Sequence, residues 1–435
     1  MSVGIAALVL FVVFLVLLFF GIPISVAIVA SSMATALMYL PSDQAGFIVM
    51  QKMNNGIDSF PLLAVPLFIF AGNIMNNGGI AQRLIRLAQL LAGRVPGSLA
   101  QTNVVGNMLF GALSGSAVAS AAAIGGTMNK MQKDEGYDPA FAAAVNIASA
   151  PSGLLIPPTS AFIVYSAITG GVSISALFMA GYVPGILMGL IVMIIAYFYA
   201  KRHNYPVAER PTAKQAGKII LEAIPSLMLI VIVIGGIVGG IFTATEGAGI
   251  AVLYCLILAL IYRSMTWKDF MSVLLRSTAT SGIILFLISA SSAMSWVMAY
   301  TGIPAGISEV MLSVSENPII ILLLMNLVLL VVGVFMDITP AILIFTPIFL
   351  PIVTGLGMDP VHFGVLLIFN MAIGTMTPPV GSVLFVGTSI ADVSIEAVAK
   401  RLLPYFGALI ALLLLITFVP QLSLAIPQWM GLLGG

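Results

Sequence analysis

The chain has 435 residues, 60% apolar and only 7% charged, with a net charge of +1. That excludes an ordinary soluble domain, in which about one quarter of the residues are charged, and leaves too little charge to engage nucleic acid. The single cysteine, Cys255, sits in an apolar run and reads as a small packed residue, so no disulfide, Cys/His metal site or thiol nucleophile is available.

Many apolar runs approach or exceed the ~18 residues needed to cross a bilayer, so the chain reads as an all-α, polytopic membrane protein. Residues 4–20 resemble the core of a signal peptide but lack preceding basic residues, and are taken as the first membrane helix. A break at Gly21-Ile22-Pro23 precedes a helix over 24–40. The polar stretch 41–58, with Asp43, Lys52 and Asp58, receives no role. A helix over 60–76 stops at Asn76-Asn77-Gly78-Gly79. Residues 80–92 carry Ile80, Leu84, Ile85 and Leu87 at helical spacing against Arg83, Arg86 and Gln89. This is a lateral arm helix in the interface, or else the face of a soluble loop.

Residues 96–132 are apolar but interrupted at 111–116. Each half is about 15 residues, or ~23 Å of helix, short of the ~30 Å hydrocarbon core. The segment reads as a re-entrant hairpin, tolerated at membrane depth only where protein or a cavity surrounds its tip. Asp138-Pro139 opens a broken helix over 138–170, interrupted near Pro157-Pro158, with Thr159 or Ser160 capping the restart. A helix over 176–200 closes a first unit, 1–200, and the polar 201–218, including Glu209 and Arg210, is a connector.

The second unit, 219–435, repeats the plan: helices at 219–241, 247–262 and 278–300, an arm at 303–315, a hairpin at 317–356, a broken helix at 359–390 and a last helix at 403–425. At a spacing of 221, Asp138-Pro139 falls on Asp359-Pro360 and Pro157-Pro158 on Pro378-Pro379; at 222, Gly111 falls on Gly333. The hairpin tip Gly333 to Pro340 holds Asp337, between apolar runs, and Thr339-Pro340 reads as N-cap and first helical position. Alone, Asp337 is either a paired acid in a Pro-kinked helix or the mark of an ion or substrate path.

Each unit crosses the membrane five times, an odd number, so its copy inserts upside down. With both termini periplasmic, Lys52 alone among the 16 Lys and Arg lies outside, in keeping with the positive-inside rule. The hairpins then enter from opposite sides and their tips meet. His203 and His362 fall near the proposed membrane surfaces, and a catalytic role is not assigned to either.

Such a centre offers hydroxyls and freed carbonyls, the ligands of hard cations, and broken helices hold Na⁺ in inverted-repeat transporters. Two cation sites follow: Ser114, Gly115 and Ser116 with Gly153 and Pro157, and Gly333, Asp337 and Thr339 with Gly374 and Thr377. With no Lys or Arg nearby, an anionic substrate would rest on helix N-termini, beside Ser116, Thr159, Ser160, Asp337, Gly381 and Ser382. Singly, each hydroxyl equally serves by bonding to a neighbouring turn, and each tip glycine by close packing. No metalloprotease, nucleophile-elbow or phosphate-loop motif is present, so no enzyme is indicated. A carbonyl-lined channel or a membrane scaffold is the competing class.

Four motifs in order, Gly111-Ala112-Leu113-Ser114-Gly115-Ser116, Pro157-Pro158-Thr159, Met336-Asp337-Ile338-Thr339-Pro340 and Thr377-Pro378-Pro379-Val380-Gly381, resemble the large, DctM-type membrane subunit of tripartite ATP-independent periplasmic (TRAP) transporters. The resemblance covers essentially the whole chain. It implies a bacterial inner-membrane permease that imports an organic acid on a Na⁺ gradient by an elevator motion, without a cofactor. It further implies two partners: a small four-helix membrane subunit, here a separate polypeptide, and a periplasmic substrate-binding protein. Family substrates include sialic acid and C4-dicarboxylates, and the sequence looks closer to the sialic-acid members.

Overall fold

The computed structural model describes residues 3–77, 80–208, 211–315 and 317–433. The stop at Gly78-Gly79 and the connector residues Glu209 and Arg210 lie outside the described residues. Among the described residues there are helices and no strands. The first part comprises α1 (Val3–Phe19), α2 (Ile24–Ala36), α3 (Ser42–Ile57), α4 (Ala64–Asn77), α5 (Ile80–Ala92), α6 (Ser98–Ser114), α7 (Ala117–Asp134), α8 (Pro139–Ser149), α9 (Ser160–Ile168) and α10 (Ile174–Arg202). The second comprises α11 (Ala213–Val238), α12 (Ala244–Ile261), α13 (Trp267–Thr301), α14 (Ile303–Val314), α15 (Pro318–Phe335), α16 (Ile338–Gly355), α17 (Pro360–Thr375), α18 (Ser382–Ala391), α19 (Ile395–Phe418) and α20 (Gln421–Trp429).

Seven of these, α10 to α13, α15, α16 and α19, are long and apolar enough to cross a membrane singly. The stretch 96–132 holds α6 and α7, of 17 and 18 residues, longer than the about 15 expected of each half, and 317–356 holds α15 and α16, of 18 residues each. The breaks also agree: α8 passes through a 3-10 turn at Ala150–Leu154 before α9, and α17 stops at Thr375 before α18. Both Pro157-Pro158 and Pro378-Pro379 bonds are cis.

Three readings need correction. First, the polar stretch 41–58, given no role, is helical. Residues 42–57 form α3, and Ser42–Ile57 with Phe60–Asn76 is an apolar helix pair bent by 64°. Ala45, Val49 and Met53 of α3 pack on Ala293 and Val297 of α13 in a small core of their own. At 42–77 this bent pair matches the 35-residue α13 in length, which gives the stretch a structural role. Second, α13 begins at Trp267, not 278, because Thr266 caps it in a reciprocal box with Asp269. Third, the last helix is not 403–425. Ser394 caps α19, whose 24 residues end at Phe418, and Val419-Pro420 turns the chain into α20.

By packing, α2, α3, α4 and α12 gather round α13 and its neighbours, while α8, α10, α17, α18 and α19 from both parts of the chain interlock in a second group. Amides buried in apolar helices hold each hairpin to its neighbour. Asn107 of α6 donates to Asn146 Oδ1 and Ser149 Oγ of α8, at 3.0 and 2.8 Å. Asn326 of α15 accepts from Asn370 of α17 and donates to Thr417 of α19, both at 2.9 Å.

Candidate functional site

Backbone contact sets the position of each hairpin tip. Gly111 of α6 lies against Gly153, and Gly333 of α15 lies against Gly374, so closely that a Cβ on any of the four would meet the partner's backbone. These are corresponding positions in the two halves. Gly115 ends α6 in the left-handed region (φ +62°), its N–H returning to Gly111 O at 2.7 Å. A Cβ there would sit 3.0 Å from Pro158 O, so this tip is pressed onto the first break.

The two tips and the two breaks line one cavity of about 240 Å³. The first hairpin contributes Ser114, Gly115, Ser116 and the first residues of α7; the second contributes Asp337, Ile338 and Thr339. From the breaks come Leu154, Pro158 and Ser160, and Thr375 and Ser382. Four helix N-termini, those of α7, α9, α16 and α18, therefore face one space. Ser116 Oγ accepts the N–H of Ala119 at 3.3 Å, and Thr159 Oγ1 that of Phe162 at 3.4 Å. No side chain caps α16 or α18, so their first-turn N–H groups keep their capacity for a ligand.

One cap differs from the sequence reading. The second arm restarts at Ile338, with Asp337 as N-cap, rather than at Pro340 with Thr339 as cap, and α15 runs on past Gly333 to Phe335. Pro340 then occupies the third helical position, where its missing N–H would have had no intrahelical partner. Asp337 makes no side-chain bond to its own helix and is exposed on the cavity. Among the described residues it is the one carboxylate lining the cavity, and no Lys or Arg does.

Of the predicted ligands, Ser114, Gly115, Ser116, Ser160, Asp337, Thr339 and Ser382 line the cavity. The Ser382 Oγ is buried without a hydrogen-bond partner. Others stand behind the wall. Gly153, Gly333 and Gly374 are packing contacts. Pro157 is buried, and Thr159 is a cap. Thr377 donates to Ile373 O at 2.8 Å, and Gly381 packs on the backbone of Thr375.

The opposite wall went unpredicted. It is made by Phe68, Ile69, Gly72 and Asn73 of α4 and Thr280 and Ile284 of α13. Asn73 Nδ2 donates to Ser277 Oγ at 2.9 Å, joining these helices. An amide inside the apolar run 60–76 was the available signal, since such groups mark interhelical bonds or pathways in membranes. His362, in the first turn of α17, is buried within the protein at 1% exposure.

Residues 11–422 match the family model described as "Tripartite ATP-independent periplasmic transporter, DctM component". The chain belongs to the DctM family of TRAP large permeases. As such it is a transport protein and not an enzyme, a multi-pass inner-membrane permease that works with a small membrane subunit and a periplasmic binding protein. The permease is 56% identical to the uncharacterized protein YgiK of Salmonella typhimurium over 97% of each chain. It is 34% identical to the sialic acid TRAP large permease SiaM of Vibrio cholerae over 95% of this chain and 96% of that one. Identity is the same, 34%, to the C4-dicarboxylate TRAP large permease DctM of Rhodobacter capsulatus, over 98% of this chain and 100% of the other. The leaning toward sialic-acid members therefore finds no support in identity. In fold the permease is similar to the YdaH transporter of Alcanivorax borkumensis, with a TM-score of 0.61 at 14% identity over 91% and 90% of the two chains.

Proposed function

We propose that this permease is a Na⁺-coupled importer of an organic carboxylate, handed to it by its periplasmic binding protein. The supporting observation is the single cavity where both tips and both breaks meet around Asp337. In this reading an anionic substrate rests on the uncapped N-termini of α16 and α18, whose dipoles and N–H groups favour carboxylate. Asp337 would repel that substrate, so a cation must be bound beside it first. Na⁺ on tip carbonyls and on Asp337 meets this need and couples the two.

The two halves are inverted copies in this reading, with both termini periplasmic. The hairpins and broken helices slide as a unit past α4 and α13, carrying the cavity across the membrane. Sialic acid is the first substrate to test, and C4-dicarboxylates are the second. In proteoliposomes holding the permease and its small subunit, with the binding protein outside, uptake of labelled sialic acid should require an inward Na⁺ gradient. Undiminished uptake after the gradient is collapsed would remove the coupling. Na⁺-dependent uptake of labelled succinate with no uptake of labelled sialic acid would move the substrate to the dicarboxylates and leave the cavity assignment standing.

A further inference from the structure

Away from the cavity, a groove with chemistry of its own lies between α5, the start of α11 and the end of α12. Arg86 Nη1 reaches Glu222 Oε2 at 3.3 Å, and Lys218 Nζ sits 3.9 Å from Oε1 of the same carboxylate. Hollows of about 450 and 510 Å³ open on either side of this pair. Arg94 and Lys218 line the first, and Arg83, Tyr262 and Ser264 line the second. The Arg83 guanidinium lies 3.6 Å over the Tyr262 ring. Among the described residues, Arg83, Arg86, Arg94 and Lys218 line the two hollows, which share the Glu222 carboxylate. Arg86 and Lys218 are 62% and 78% exposed, so their pairing with Glu222 is weak and yields readily to a stronger anion.

The groove continues into an apolar track. Leu221, in the second hollow, is followed on the same face of α11 by Ile224, Met228 and Val231, exposed by 69, 42, 40 and 60%. Ten residues of helix carry this track ~15 Å, about half of the ~30 Å hydrocarbon core and hence one leaflet deep.

We propose that this groove binds the phosphate headgroup of an anionic phospholipid, with an acyl chain lying along Leu221, Ile224, Met228 and Val231. Guanidinium groups match phosphate oxygens in charge and geometry. A tyrosine at the rim suits the interface between headgroup and acyl layers, and basic pockets between membrane helices are where such headgroups are held. An acidic segment of a partner protein would satisfy the arginines but would not account for an apolar track starting in the same hollow. Bound there, the lipid would pin the amphipathic α5 to α11.

The test is native mass spectrometry of the permease purified with its small subunit, offered equal amounts of dioleoyl phosphatidylglycerol and dioleoyl phosphatidylcholine. Retention should favour the anionic lipid by about five-fold or more, the scale of one basic side chain near a lipid surface. The double variant Arg83→Gln, Arg86→Gln should lose that preference. Arg83→Lys, Arg86→Lys should keep it, which separates lost charge from lost fold. No preference in the wild type, or an undiminished one in the Gln variant, overturns the proposal. So does displacement of the lipid by millimolar inorganic phosphate, which would make this a free-anion site. Preference seen only after the small subunit is removed would show a protein contact and overturn it equally.

Discussion

Asp337 and Ser382 have opposite ties to the fold, and this separates function from stability at single positions. Asp337 caps α16 without a side-chain bond and is exposed on the cavity. Asn is as good a cap as Asp, so Asp337→Asn should leave thermal stability within about 1 kcal/mol. In proteoliposomes the same variant should lower uptake about ten-fold or more and flatten its Na⁺ dependence; unchanged uptake would remove Asp337 from the cation site. The Ser382 Oγ is buried with no partner, and an unmet buried polar group costs about 1–3 kcal/mol. Ser382→Ala should therefore hold or raise the unfolding temperature in detergent while raising the substrate KM. A drop in stability with KM unchanged would make the hydroxyl structural. Both residues were legible from the Thr-Pro and Pro-Pro signals around them. The missing partner of Ser382 was not, because it depends on what the rest of the chain leaves beside it.

At the scale of elements, close helix contact is set by which glycine faces a neighbour. On α7, a Cβ at Gly125 would strike the side-chain amide of Asn146, whereas one at Gly126 would meet nothing within 4 Å. Asn146 is itself fixed by its bond to Ala121 O at 3.0 Å and by Asn107. Gly125→Ala should destabilise by about 1–3 kcal/mol through overpacking. Gly126→Ala should stabilise by up to about 1 kcal/mol, as Ala in place of Gly does in a helix. Thermal unfolding of the two variants checks the pair, and equal effects would contradict the packing of α7 on α8. Sequence periodicity found these helices well but could not rank their faces. In lipid the outward and inward sides are both apolar, so Gly125 and Gly126 look alike until α8 is placed. The same blindness hid α3, whose Ala45, Val49 and Met53 are buried only because α13 lies beside them.

At the scale of the whole molecule, the open matter is the sense of the two halves. The lone native cysteine, Cys255, is buried, so introduced thiols can be read against a low background. Lys133, exposed at the end of α7, and Thr354, exposed at the end of α16, mark the outer ends of the two hairpins. For inverted copies, a membrane-impermeant maleimide added to intact spheroplasts should label Thr354→Cys, and should label Lys133→Cys only after the membrane is opened. Labelling of both from one side would overturn the inversion and with it the proposed carriage of the cavity.

Composition alone determined that this chain lives in a membrane, because so few charges and such long apolar runs have no soluble solution. Local signals determined where its helices break: proline lacks a donor, glycine admits the left-handed turn at 115, and the Ser116 and Thr159 caps mark the restarts of α7 and α9. The dipeptides shared at a spacing of 221, Asp-Pro and Pro-Pro, were likewise legible, because they are a comparison of the chain with itself. Only tertiary structure decided that the four breaks share one cavity, that α4 and α13 close it with Asn73 and Thr280, and that the second arm starts at Ile338. Those outcomes depend on which apolar surfaces meet across hundreds of residues. A bilayer, unlike water, gives the sequence little reason to distinguish a face that meets protein from one that meets lipid.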